Sequence, residues 1–108
     1  MTSVEIRRVE TNKKQYLALL LLADEQEDMI DRYLERGSMY VLEDDGVKAE
    51  CVVTDEGGGV LELKNIAVEP DFQGKGYGKA LVDFLIRTYA GQYMLLQVCL
   101  LYTSPSPR

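Results

Sequence analysis

The sequence predicts a single α+β (mixed α/β) domain with a central mixed, mostly antiparallel sheet, and three observations carry this expectation. Helical periodicity fills Tyr16 to Arg36, and it gives way between Met39 and Val68 to alternating segments separated by Gly-rich turns. A glycine-rich loop, a further helical region and a last apolar segment then follow in order, the signature of a strand–helix–strand unit appended to hairpins. With 108 residues, 46% of them hydrophobic, the chain can fill one core and has no room for a second.

Each element follows from its residues. Val4 to Val9 (β1) alternates apolar Val4, Ile6 and Val9 imperfectly with charged residues. Asn12, with Gln15 three residues on, has the form of a helix N-cap. The run Tyr16 to Ala23 (α1) is apolar nearly all round, which predicts a helix buried on more than one side. Asp24 with Glu27 repeats the capping pattern. Met29, Ile30, Tyr33 and Leu34 (α2) form one apolar stripe, and Gly37 stands as the C′ residue. Met39 to Glu43 (β2), the turn Asp44-Asp45-Gly46 and Val47 to Thr54 (β3) make a hairpin.

A second turn at Glu56 to Gly59 leads into Val60 to Val68 (β4), where the alternation changes phase. Leu61 and Leu63 share one face, whereas Ile66 and Val68 fall out of register with them. A β-bulge near Lys64-Asn65 reconciles the halves and frees backbone N–H and C=O groups for an extended ligand; the alternative is that Asn65 ends a regular strand. After Glu69-Pro70-Asp71, the residues Leu81, Val82, Leu85, Ile86 and Tyr89 (α3) mark a helix stopped by Gly91. Met94 to Leu100 (β5) has the composition of a strand buried on both faces. The order is β1-α1-α2-β2-β3-β4-α3-β5, without internal repeats. The tail Leu101 to Arg108, broken by Pro105 and Pro107, reads as disordered sequence, either a flexible terminus or a non-native replacement such as a translated adapter.

Composition excludes several functions. A net charge of -6 gives no long-range attraction to nucleic acid or anionic membrane. The longest apolar run, Leu17 to Ala23, is too short to span a bilayer, and Met1 to Lys14 is too charged for a signal peptide, so a cytoplasmic location is expected. Cys51 and Cys99 lack disulfide or zinc-site spacing and read as small buried hydrophobes. With no histidine, imidazole triads and His-based metal clusters are ruled out for these residues, and no metal is expected.

The chemistry concentrates at Gln73-Gly74-Lys75-Gly76-Tyr77-Gly78. Three glycines at alternate positions directly before a helix let successive N–H groups turn inward with no Cβ in the way, and the helix dipole adds positive potential. Lys75 and Lys79 are the nearest basic residues. Asp24 to Glu62 carries thirteen acidic residues against three basic, but Lys64 to Arg87 carries three against four, so an anionic cofactor fits the latter half. A dinucleotide fingerprint would need glycine where Lys79 stands, and the Walker Gly-Lys-Ser/Thr is absent. A flexible glycine turn without a ligand is the alternative.

The pattern resembles the acetyl-CoA signature Gln/Arg-x-x-Gly-x-Gly/Ala of the GNAT (GCN5-related) N-acetyltransferase superfamily, matched by Gln73, Gly76 and Gly78. The likeness extends to Leu63 to Pro70 and, more loosely, from Val4 to Leu100. It implies that a V opens between the fourth and fifth strands. The pantetheine would pair with backbone across Ile66, Ala67 and Val68, and the pyrophosphate would lie on the loop from Gln73 to Lys79. The implied reaction transfers an acetyl group from acetyl-CoA, as co-substrate, to a primary amine of a small molecule or peptide. Direct attack by the amine needs no enzyme nucleophile, only proton removal and backbone N–H groups such as that of Val68 to stabilise the oxyanion. Glu62 stands where several family members carry the general base; its alternative is a solvated residue on a half-exposed strand face. The resemblance also implies that the family's helix and two strands after the fifth strand (α4-β6-β7) are missing from this sequence. Residues 1–100 are therefore expected to be a partial N-acetyltransferase domain, inactive alone, with 101–108 outside it and the general acid unassigned. The exposed edge of the fifth strand would admit a homodimer.

Two other readings compete. One is a CoA-binding domain without turnover. The other is an acidic interaction module using Asp24, Glu25, Glu27, Asp28 and Asp31 toward a basic partner.

Overall fold

A computed structural model describes residues 4–98 of the chain. Strands β1 (Glu5–Val9), β2 (Ser38–Glu43), β3 (Val47–Gly57), β4 (Val60–Val68) and β5 (Leu95–Val98) form one sheet in sequential order. The first three pairings are antiparallel, and β4 pairs with β5 in parallel through the crossover helix α3 (Tyr77–Thr88). Helices α1 (Leu17–Ala23) and α2 (Glu27–Leu34) cover one face, packing Leu20, Ile30, Tyr33 and Leu34 against Met39, Val41 and Val52. Helix α3 covers the other, where Leu81 and Leu85 meet Tyr40, Cys51, Val53, Leu61 and Leu63. Helices on both faces explain why Met39 to Leu42 and Ala49 to Thr54 are buried continuously rather than alternately.

Several local expectations are corrected. Helix α1 buries Leu19 and Leu20 but leaves Leu22 49% exposed, because only its sheet-facing side meets a neighbour among the described residues. Asn12 opens the 3-10 turn Lys13–Tyr16 from a left-handed backbone (φ 51°) without a side-chain cap; its carbonyl accepts from the Gln15 amide at 3.1 Å. Asp24 does not cap α2 either, and its Oδ1 accepts instead from the Gln26 amide at 3.3 Å. Gly37 is not left-handed; it is a close-approach glycine, since a Cβ there would lie 2.8 Å from Val52 Cγ1. The carbonyls at the α2 end are taken by buried Lys13, whose Nζ donates to Leu34 O and Gly37 O at 2.8 Å each and to Glu35 O at 3.3 Å.

Strand β5 is not buried on both faces. Leu95 and Val98 are 52% and 57% exposed, because the strand lies at the edge of the described sheet and only Leu96 packs against the α3-side core. Cys51 is buried as expected, and burial pushes its thiol pKa up. Cys99, Leu100 and the 101–108 tail lie outside the described residues.

Candidate active site

The phase change in β4 is a bulge. Val52 faces Asn65 and Val53 faces Leu63, so Lys64 is the extra residue. Before it, Leu61 and Leu63 face α3; after it, Asn65 opposes Val52 on the α1–α2 side while Ile66 and Val68 pack toward α3. The described pairing with β5 runs from Val60↔Leu95 to Leu63↔Val98, ending just before the bulge. Beyond it, a cavity of about 290 Å³ is lined by Leu22, Ile66, Ala67, Val68, Gln73 and Gly78. A separate apolar cavity of about 220 Å³, between the end of α3 and β5, holds none of the predicted site residues.

The loop joining β4 to α3 is built to leave its amides bare. After the 3-10 turn Pro70–Phe72, Gln73 Nε2 donates back to Val68 O at 3.1 Å, tying the loop to the bulged strand. Gly74 and Gly76 are left-handed (φ 84° and 86°), and a Cβ at either would meet no atom within 4 Å. The space a side chain would fill there is open. Gly76 precedes the first turn of α3 without a side-chain cap, so the amides of that turn remain for a ligand. The cradle thus fits a pyrophosphate. Tyr77 OH donates to Asp44 Oδ2 and fastens the helix start to the β2–β3 turn, while Lys79 pairs with Asp83 at 2.9 Å and Lys75 is exposed.

Residues 35–107 match the acetyltransferase (GNAT) domain. The chain belongs to the GNAT superfamily. It is 43% identical over 74 residues to the uncharacterised N-acetyltransferase YvbK of Bacillus subtilis, an alignment covering 68% of this chain and 47% of that protein. Among solved structures it is similar to a GNAT family acetyltransferase from Elizabethkingia anophelis with acetyl-CoA bound, with a TM-score of 0.75 at 30% identity over 80% of this chain and 57% of that one. A Bacillus subtilis acetyltransferase in complex with CoA gives a TM-score of 0.73 at 36% identity with the same coverages. The chain therefore spans about half the length of the curated relative and somewhat more of the solved ones.

In this GNAT chain Ile66, Ala67, Val68, Gln73 and Gly78 surround one cavity, and Gly74, Lys75, Gly76, Tyr77 and Lys79 form the adjoining loop and helix start. Glu62 does not line that cavity. It is buried rather than half-exposed, at 5% accessibility, and lies opposite Thr54 on the face turned from α3. Lys64 Nζ contacts it at 2.8 Å, and Gln97 Nε2 donates to it at 2.9 Å. The acidic helix is partly neutralised within the fold, since Lys14 Nζ lies 2.6 Å from both Glu27 and Asp31. No helix among the described residues is long and apolar enough to cross a membrane.

Sequence reasoning missed the polar residues beneath α1 and α2. Asn65 Nδ2 donates to Leu20 O at 3.1 Å and to Tyr33 OH at 2.9 Å, and Tyr33 OH donates to Asp24 Oδ2 at 3.4 Å. Burial pushes the Tyr33 pKa up to about 12. Glu50 is buried beside them, and burial raises its pKa well above the usual carboxylate range. The available signal was a single charge inside the apolar run Ala49-Glu50-Cys51-Val52-Val53.

Proposed function

We propose that the protein transfers an acetyl group from acetyl-CoA to a primary amine of a small molecule or peptide. One observation carries the reading: the bulged strand and the glycine loop, separate in sequence, border the same cavity, tied together by Gln73 on Val68 O. Ile66, Ala67 and Val68 offer a strand edge to the pantetheine, and the Gln73–Gly78 amides, flanked by Lys75 and Lys79, hold the pyrophosphate. Acetyl-CoA, when bound, supplies an activated acetyl thioester. The Val68 amide is suited to stabilising oxyanion charge, and Glu62 is assigned the amine proton, held in place by Lys64 and Gln97. The chain spans 57% of those acetyltransferases, so activity is assigned to the whole protein, with residues 1–100 as part of the domain, acting in the cytoplasm.

Thiol release with a panel of amines tests the assignment. Glu62→Gln should lower turnover at neutral pH at least tenfold while leaving CoA affinity within twofold, because only proton removal is lost. Tight CoA binding without thiol release for any amine would favour a non-catalytic CoA-binding domain.

A further inference from the structure

Three buried acceptor atoms have no hydrogen-bond partner among the described residues: both carboxyl oxygens of Glu50 and Oδ1 of Asn65. Each residue is 0% exposed. They share one place. In the β3–β4 ladder Glu50 faces Ala67 and Val52 faces Asn65, so the two side chains are diagonal neighbours on the sheet face beneath α1 and α2. Ala67 also lines the cavity beside the bulge, which puts the orphan acceptors next to its wall. Asn65 is linked outward through Tyr33 to Asp24, whose neighbour Glu25 is exposed, so a hydrogen-bonded line runs from an acidic surface to Asn65, the diagonal neighbour of Glu50.

Unpaired polar groups in such a position are costly, and nothing facing Glu50 among the described residues relieves the cost. Val41 opposes it from β2, Ala67 from β4 and Tyr33 from α2, all without positive charge. Lys13, the buried cation among the described residues, is committed to the carbonyls at the end of α2. Burial holds Glu50 toward its neutral form for want of a counter-charge; ionised, its two oxygens together with Asn65 Oδ1 call for a cation with several N–H donors. A primary ammonium has three. Water offers two donors and no charge, and a quaternary ammonium offers charge and no donors.

We propose that Glu50 and Asn65 form the subsite that receives the ammonium group of the acceptor amine, reached from Asp24 past Tyr33 and ending beside Ala67. The ligand's role as acceptor rests on the acetyl-transfer reading; ammonium binding does not. Glu50 and Asn65 are specificity residues here, distinct from Glu62 on the other side of the bulge.

The 108-residue chain, labelled at the glutamate carboxyl carbons and asparagine side-chain amides, is titrated by NMR with ethylammonium chloride and with tetramethylammonium chloride at equal ionic strength. The expected result is a saturable shift of the Glu50 and Asn65 signals with ethylammonium alone. In Glu50→Gln, and in Glu50→Leu as a second variant without acceptors, the Asn65 response should weaken at least tenfold. Equal responses to the two salts would overturn the proposal, as would an Asn65 response in both variants within twofold of the original. If either variant fails to fold, the two-salt comparison in the unaltered chain still decides. In the whole enzyme, Glu50→Gln should raise KM for the amine at least tenfold with kcat within threefold; a fall in kcat alone would make Glu50 merely structural and overturn it. Absence of thiol release with every amine would sink acetyl transfer while leaving the NMR outcome to judge the subsite.

Discussion

Replacing Gly76 by valine separates the two tasks of the glycine loop. Gly76 holds φ 86° at the start of α3, and a Cβ there meets no atom within 4 Å, so the folded chain suffers no clash. The stability cost is confined to the backbone: a β-branched residue in the left-handed region costs about 2 kcal/mol. At about 4–8 °C per kcal/mol for a domain of this size, Tm should fall by roughly 8–16 °C. On the proposed reading, the added side chain fills the space in which the pyrophosphate would meet the bare amides of the α3 turn. CoA at a hundredfold excess over Kd stabilises a protein by about 2.7 kcal/mol, and a hundredfold loss of affinity reduces that to about 0.4 kcal/mol. Gly91→Val is the control, with the same left-handed strain (φ 83°) and equally open space, but beyond the end of α3, away from the loop. It should lower Tm comparably yet keep the full CoA increment. Thermal unfolding of the whole protein with and without CoA, with calorimetry for Kd, reads both effects. A Gly76→Val variant that keeps the CoA increment would refute the assignment of the cradle.

Lys13→Met should cost about 2–4 kcal/mol in urea unfolding, because it strips the buried donor from three carbonyls at the end of α2; a loss under about 0.5 kcal/mol would mean water replaces it. Glu50 predicts a pH slope. Its folded pKa is raised above the 4.5 reference, so the native state holds the proton longer than the unfolded state. Stability is then full below pH 4.5 and declines as pH rises toward the folded pKa. Glu50→Gln should flatten that decline and raise stability at neutral pH, and an unchanged slope would place the titration elsewhere. The exposed apolar Leu95 and Val98 on outer strand β5 predict concentration-dependent self-association, which Val98→Lys should reverse in sedimentation experiments; association unaffected by the lysine would exclude this edge as the contact.

Much of the backbone geometry around the candidate site was legible because its signals are local. Glycines at 74, 76 and 78 before a helical period announce a bare-amide loop, and the parity change between Leu63 and Ile66 announces a bulge; both depend on backbone geometry that neighbouring residues dictate. The caps at Asn12 and Asp24 were misread because side-chain capping depends on the angle at which the chain enters each helix. The burial of β5 was misread because composition cannot say what covers a strand.

The sequence by itself determined the order of elements, the strand that bulges and the place of the glycine loop before α3, since hydrophobic period and glycine position act over a few residues. Only the tertiary structure decided which distant groups share a space. Leu22 reaches the cavity wall because α1 crosses β4, and Lys13 closes a helix twenty-one residues away at Leu34. Glu50 lies diagonal to Asn65 because β3 pairs with β4 so that Ala67 faces Glu50 and Asn65 faces Val52. That pairing is set by long-range packing between two sheet faces, and no short window of sequence contains it.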